Sequence, residues 1–147
     1  MIALRHGTAN DSEILLNFMQ RYYEFDEILF NESVARLTLG TLLTDENLGV
    51  AYLIEEDSRA IGYIVLTFGF SLEFGGRYSF IDEFFIDAQL RGRGFGTETL
   101  RLLEAEARRH GVKAIHLEVE LDNTEARDFY KSKGFEAPDR GLMYRRL

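Results

Sequence analysis

Gln89-Leu90-Arg91-Gly92-Arg93-Gly94-Phe95-Gly96-Thr97 is the stretch that decides the fold. It follows an apolar run over residues 80–86 and opens an amphipathic segment that continues to His110, which reads as strand, glycine loop, helix. Three glycines at alternate positions let the backbone turn tightly with its N–H groups pointing inward, and the following helix adds unpaired N–H groups and a positive dipole end. A loop of this kind binds anions. Arg91 and Arg93 set local positive charge against a formal net charge of −8, which suits a pyrophosphate. The plainer alternative is a glycine turn without a ligand.

Two common phosphate-binding patterns do not fit. A Walker loop ends in Gly-Lys-Ser/Thr, whereas Gly96 is followed by Thr97 and Glu98. A dinucleotide fingerprint needs glycine where Thr97 stands and an early strand–loop–helix unit, whereas this one lies past mid-chain. Arg91-Gly92-Arg93-Gly94-Phe95-Gly96 resembles instead the Arg/Gln-x-x-Gly-x-Gly/Ala acetyl-CoA loop of the GCN5-related N-acetyltransferases, the GNAT family. A second stretch, Asn123-x-x-Ala126-x-x-Phe129-Tyr130-x-x-Lys133-Gly134-Phe135, resembles that family's closing helix and strand. The two matches span residues 80–135, over a third of the chain. Ala88 departs from the pattern, since many members carry proline there.

At 147 residues and 46% hydrophobic, the chain can bury one core and is short for two ordinary domains, so a single domain over 1–147 is expected. The N-terminus turns polar at once and no apolar run approaches a membrane span, so a soluble, cytoplasmic protein with no membrane partner is expected. The absence of cysteine removes disulfides and a thiol nucleophile, and three scattered histidines form no metal cluster. Direct transfer without a metal is therefore expected. The acidic balance argues against nucleic-acid binding, which needs clustered positive surface, and leans toward cationic partners. Solubility alone also accounts for it.

Residues 2–5 read as an edge strand. Asn10 with Glu13 starts a first helix bearing Leu15, Phe18, Met19, Tyr22 and Tyr23 at helical spacing, and Asn31 caps a second. Residues 49–55 and 60–68 form a hairpin turned across 56–59. Phe70, Leu72 and Phe74 precede the Gly75-Gly76 turn in a loop that lines a cleft, packs back on the core or contacts a second copy. In the strand over 80–86, Asp82 and Glu83 interrupt an apolar run and, by alternation, point to opposite faces. Burying an unpaired carboxylate is costly, so each needs a partner, a raised pKa or access to water. An ion pair with an arginine is the expectation for one of them. The helix over 97–110 turns Leu100, Leu103 and Ala107 inward and stops at Gly111. Residues 113–121 read as a strand with His116, Glu118 and Glu120 on one face. Asp122 and Asn123 cap a last helix that ends at Gly134, and residues 142–147 form a final strand.

The resemblance implies an α/β (α+β) GNAT fold: a central mixed, mostly antiparallel sheet of about six to seven strands with helices on both faces and a splayed pair of parallel strands. It implies acetyl-CoA as co-substrate, with Phe85 and Ile86 pairing with the pantetheine arm. The N–H groups of Arg91, Gly92, Arg93, Gly94, Phe95, Gly96 and Thr97 would hold the pyrophosphate, Asn123 would reach the arm, and Arg127 would approach the phosphates. Tyr130 takes the family position beside the CoA sulfur, where a phenol can protonate the leaving thiolate. An alkylamine of pKa ~10.4 is mostly protonated at neutral pH, so a carboxylate must take its proton, directly or through water. Glu83 is the first candidate, followed by Asp82 and Glu118. Glu24, Asp26, Glu27 and Glu73 favour a small cationic acceptor such as a polyamine or amino sugar. A protein or peptide acceptor and a non-catalytic acetyl-CoA-binding domain are the alternatives, and a homodimer is one expected assembly because family members are often dimers.

Overall fold

In the computed structural model, which describes residues 1–147, the sheet forms where Val, Ile, Leu and aromatic residues run together. Its strands are β1 (Ile2–His6), β2 (Gly49–Glu56), β3 (Arg59–Ser71), β4 (Gly76–Ile86) and β5 (Ile115–His116). They lie in that order, antiparallel from β1 to β4 and parallel between β4 and β5. The sheet is thus mixed and mostly antiparallel, with five strands where six to seven were expected. All five belong to the first of two compact units, Met1–Leu117; the second is Glu118–Leu147.

The central strands are apolar on both faces because helices cover both. On one face α1 (Ser12–Phe25) and α2 (Glu32–Thr44) bring Leu15, Leu16, Phe18, Met19 and Leu39 onto Ala51, Leu53, Tyr63, Val65 and Phe85. On the other, α3 (Phe95–Arg109) buries Leu100, Leu103 and Ala107. The alternate strand residues Tyr52, Ile54, Ile64 and Leu66 are buried on that side. Each such aliphatic side chain contributes about 1.5–3 kcal/mol by leaving water.

Two bulges interrupt the ladder. Ile54 pairs with Gly62 and Glu55 with Ala60, which leaves Ile61 as an extra residue in β3. Val65 pairs with Glu83 and Leu66 with Ile81, which leaves Asp82 as an extra residue in β4. The second bulge breaks the expected alternation of Asp82 and Glu83. It also bends and twists the strand, as bulges do, just beyond the point where β4 stops pairing with β5. That parallel pairing consists of Ser79 with Ile115 and Phe80 with His116.

The expected strand over 113–121 is therefore cut to Ile115–His116, because its partner bends away and the residues that follow alternate with charge. The expected strand over 142–147 has no regular structure, and Leu142, Met143, Tyr144 and Leu147 are exposed. Strand propensity without a ladder partner does not make a strand. The β3–β4 hairpin is longer than expected, with only 72–75 left as its turn, and it carries Phe70 and Leu72 exposed to solvent. At the first helix the cap is not Asn10. The Asp11 carboxylate accepts the Thr8 N–H at 2.8 Å and pairs with Arg5 at 2.9 Å, so a short turn over Ala9–Asp11 precedes α1. Asn31 does cap α2, accepting the Val34 N–H at 3.2 Å.

In the second unit, α4 (Thr124–Ser132) is capped by Asn123, whose side-chain oxygen accepts the Ala126 N–H at 3.1 Å. Gly134, at φ 92°, ends it in the left-handed conformation that favours glycine.

Candidate active site

The glycine loop leaves β4 through a short turn over Ala88–Leu90, pinned by Asp87. The Asp87 carboxylate accepts the Gln89 N–H at 3.3 Å and pairs with Arg21 at 2.8 Å, which holds its pKa below the usual carboxylate range. Ala88 enters this turn without a proline. Gly92 and Gly94 have φ of 77° and 81°, whereas Gly96 already lies in the helix. α3 starts at Phe95, two residues earlier than the sequence suggested. Its first turn closes with the Glu98 N–H on the Gly94 carbonyl at 3.2 Å, so the N–H groups of Phe95, Gly96 and Thr97 have no helical acceptor. A Cβ built on Gly92 or Gly94 would meet nothing within 4 Å, so open space lies over the loop. The arginines are engaged within the protein. Arg91 lies 4.2 Å over the Phe25 ring and donates from Nε to the Ile86 carbonyl at 3.2 Å. Arg93 lies 4.8 Å over Phe95 and reaches Glu56 at 3.5 Å. Both arginine side chains are thus held against the protein, beside a loop whose backbone N–H groups lack an intrahelical acceptor.

Beyond Phe80, β4 has no ladder partner on its β5 side. The Asp87 N–H donates to the Ile61 carbonyl at 2.8 Å on the other side. Antiparallel alternation then turns the backbone of Phe85 toward β3 and that of Phe84 and Ile86 toward the open edge. The Phe85 side chain is buried against Phe18, Tyr22 and Tyr63, with Arg21 and Arg91 over its ring. Of Phe85 and Ile86, the two expected at the pantetheine arm, Phe85 thus turns its backbone to β3 and anchors the strand to the core, and Ile86 meets the open edge together with Phe84.

Glu83 faces α1 and lies between two phenols. Tyr63 donates to Oε1 at 2.9 Å and Tyr23 donates to Oε2. Burial raises the Glu83 pKa, the two tyrosine hydrogen bonds oppose that rise, and the charge of Asp82 adds to it. The exposed Asp82 is itself raised by partial desolvation. The bulge leaves it as the extra residue beside Glu83, and its charge raises the pKa of Tyr22 and Tyr23 as well. Neither acid has an arginine partner, contrary to the ion pair expected for one of them. Tyr22 and Phe30 meet the Tyr23 ring edge-on at 5.7 and 5.4 Å.

The remaining candidates belong to the second unit. Glu118 is exposed and lies beyond β5 in a segment without regular structure. The Asn123 side-chain oxygen caps α4. Arg127 is half-buried on α4. Tyr130 packs edge-on between Phe129 and Phe135 at 5.2 and 5.6 Å, and burial raises its pKa. Sequence reasoning missed Tyr63 altogether. The available signal was a hydroxyl inside an apolar strand, which must find a polar partner when buried. No group of three or more His, Asp and Glu side chains is placed to hold a metal ion, and no helix is long and apolar enough to cross a membrane.

Residues 14–135 match the family model described as Acetyltransferase (GNAT) family. An uncharacterized N-acetyltransferase of Methanocaldococcus jannaschii is 26% identical over 136 residues, which cover 90% of this chain and 60% of that protein. The chain thus spans less than two thirds of that relative. An integron cassette protein from the mobile metagenome of Cole Harbour Salt Marsh superposes with a TM-score of 0.86 at 31% identity, over 98% of this chain and 90% of that one. A structure described as a predicted acetyltransferase with acetyl-CoA, from Clostridium acetobutylicum, superposes with a TM-score of 0.81 at 23% identity, over 99% and 96% of the two chains.

Proposed function

The chain belongs to the Acetyltransferase (GNAT) family, and from that premise we propose that residues 1–147 work as one N-acetyltransferase domain, moving acetyl from acetyl-CoA to a primary amine of a small cationic molecule by direct transfer in a ternary complex. The observation that carries this reading is the loop: unpaired N–H groups of Phe95, Gly96 and Thr97 at a helix start, beneath open space at Gly92 and Gly94. That donor set fits a pyrophosphate. The solved relative from Clostridium acetobutylicum was crystallised with acetyl-CoA, which supports the same ligand here.

Acetyl-CoA supplies the acetyl thioester when bound. The loop N–H groups hold its phosphates, and Phe84 and Ile86 offer edge groups to its pantetheine arm. Asn123 and Arg127 are proposed at the arm and phosphates. Glu83 takes the proton from the acceptor ammonium, directly or through water, so that the neutral amine attacks the acetyl carbon as the C–S bond breaks. Tyr130 gives the leaving sulfur its proton and is restored by the proton that the attacking nitrogen loses as the amide forms. Asp82 and Glu118 remain the other carboxylates proposed for the base. Acidic Glu24, Asp26 and Glu27, all exposed around the end of α1, attract a cationic acceptor.

The test is release of free CoA thiol from acetyl-CoA across polyamines, amino acids, amino sugars and short peptides. Turnover with a small amine supports the reading, and turnover with peptides alone moves the acceptor to that class. Binding of acetyl-CoA without turnover on any amine favours the non-catalytic alternative. Glu83→Gln should lower turnover by about 10²–10⁴-fold, the usual range for losing a general base. Tyr130→Phe should lower turnover while acetyl-CoA affinity stays; unchanged turnover removes Tyr130 as the acid.

A further inference from the structure

We propose that Tyr63 and Tyr23 are positioning residues that clamp Glu83 from two sides and present it as a single oriented carboxylate to the acceptor amine. The inference rests on Glu83 as the base. Its ground is geometric. Three different elements, α1, β3 and β4, each contribute one member of the group, and the two phenols bond different oxygens of one carboxylate. Each oxygen then keeps one lone pair, and the plane of the carboxylate is fixed by donors on both sides.

The two tyrosines are not equivalent. Tyr63 is wholly buried, with its ring among Phe18, Tyr22 and Phe85, so it cannot reach a substrate and acts only through Glu83. Tyr23 is half-buried on the last turns of α1, where its ring is held edge-on by Tyr22 and Phe30. The bulge at Asp82 is what makes the clamp possible. It aligns Glu83 with Val65 and puts it on the α1 face beside Tyr63.

Titratable groups face Glu83 from every packed element: Tyr22 and Tyr23 from α1, Tyr63 from β3, and Asp82 from its own strand. None is cationic, so the phenol hydrogen bonds are the interactions that favour the charged carboxylate, while burial and Asp82 oppose it. Removing either phenol oxygen should therefore move the Glu83 titration to higher pH, and a protonated Glu83 cannot accept the amine proton.

The experiment uses the full chain with ¹³C-labelled glutamate. The Glu83 carboxyl signal is identified by its loss in Glu83→Gln and followed against pH in wild type, Tyr63→Phe and Tyr23→Phe. Each variant should raise the midpoint by about one pH unit. CoA release is read in parallel on the panel amine that wild type acetylates fastest, so the acceptor's own ionisation is common to all variants. The acid limb of kcat/KM should move up with the NMR midpoint, kcat should fall with KM for acetyl-CoA unchanged, and neither tyrosine variant should lower turnover further in the Glu83→Gln background. An unmoved midpoint in both tyrosine variants overturns the clamp, whatever the activities. A moved midpoint together with a wild-type pH profile in Glu83→Gln overturns the role of Glu83 as base, and the clamp's catalytic purpose falls with it. Tyr23→Phe lies at the partly exposed end of α1, so it reports even if the buried Tyr63→Phe fails to fold.

Discussion

Gly62→Ala tests whether the sheet is as tightly closed as its register requires. Gly62 lies beside the Ile61 bulge and pairs with Ile54 on one side and Ile86 on the other. A methyl placed there would stand 2.1 Å from the Phe85 carbonyl oxygen and 2.9 Å from the Ile86 Cα. Both obstacles are backbone, so no side chain can rotate away and the strands themselves must part. Overpacking usually costs 1–3 kcal/mol, and a clash that only backbone movement relieves belongs at the top of that range, about 3 kcal/mol. In a chain of this size that lowers Tm by ~6–12 °C. Gly40→Ala supplies the contrast, since Gly40 is inside α2 with nothing within 4 Å of its would-be Cβ, and it should stabilise by ~0.5–1 kcal/mol. Urea unfolding followed by circular dichroism reads both as shifts in midpoint at constant slope. A cost under ~1 kcal/mol for Gly62→Ala would refute the close approach of β3 to β4. Because the displaced segment is the edge proposed for the pantetheine arm, the variant should also bind acetyl-CoA more weakly.

Other perturbations reach separate parts of the molecule. Gly94→Val puts a β-branched residue at φ 81° and a side chain into the space over the loop, and should abolish acetyl-CoA binding by isothermal titration; retained affinity would remove the loop from the site. Leu103→Ala opens a cavity under a wholly buried side chain of α3 and should cost about 2–5 kcal/mol of unfolding free energy, measured by denaturant titration. Arg5 holds the Asp11 carboxyl down to about 2 from its ordinary 3.8. A pKa depressed on folding stabilises above the unfolded value and loses that contribution as pH falls through the folded one, so the window is pH 4 to 2. Asp11→Asn should therefore cost ~1 kcal/mol at neutral pH, discounted because solvent screens the pair, and little near pH 2. An equal cost at both pH values would show that charge is not involved.

Much of this architecture was legible from local signals. The hairpin across residues 56–59 announced itself by two apolar runs, and Asp57 and Ser58 do adopt positive φ at its turn. The inward face of α3 followed from helical spacing, and its stop from Gly111. The loop was legible because glycine spacing encodes backbone conformation directly. What escaped was whatever depends on strand register. Period-two reading cannot see a bulge, so it placed Asp82 and Glu83 on opposite faces and ran β5 on to residue 121. It likewise could not tell that a tyrosine on α1 and another on β3 converge on one carboxylate, since 60 and 20 residues separate them from Glu83. The arginine pairing expected for one acid failed for the same reason: the nearest donors to Glu83 were neutral phenols brought there by packing.

The extra residue in β4 gives that strand a change of reading frame. Upstream, Ser79 and Ile81 belong with Phe68 and Leu66 on the α3 side; downstream, Glu83 and Phe85 belong with Val65 and Tyr63 on the α1 side. The frame is set by the number of residues, so the existence of position 82 matters more to the fold than which side chain stands there. Substituting Asp82 leaves both halves in frame. Deleting it forces one half to turn its buried face outward, taking either Ile81 from beneath α3 or Glu83 from between its tyrosines. Length at this one point is therefore under tighter physical constraint than composition.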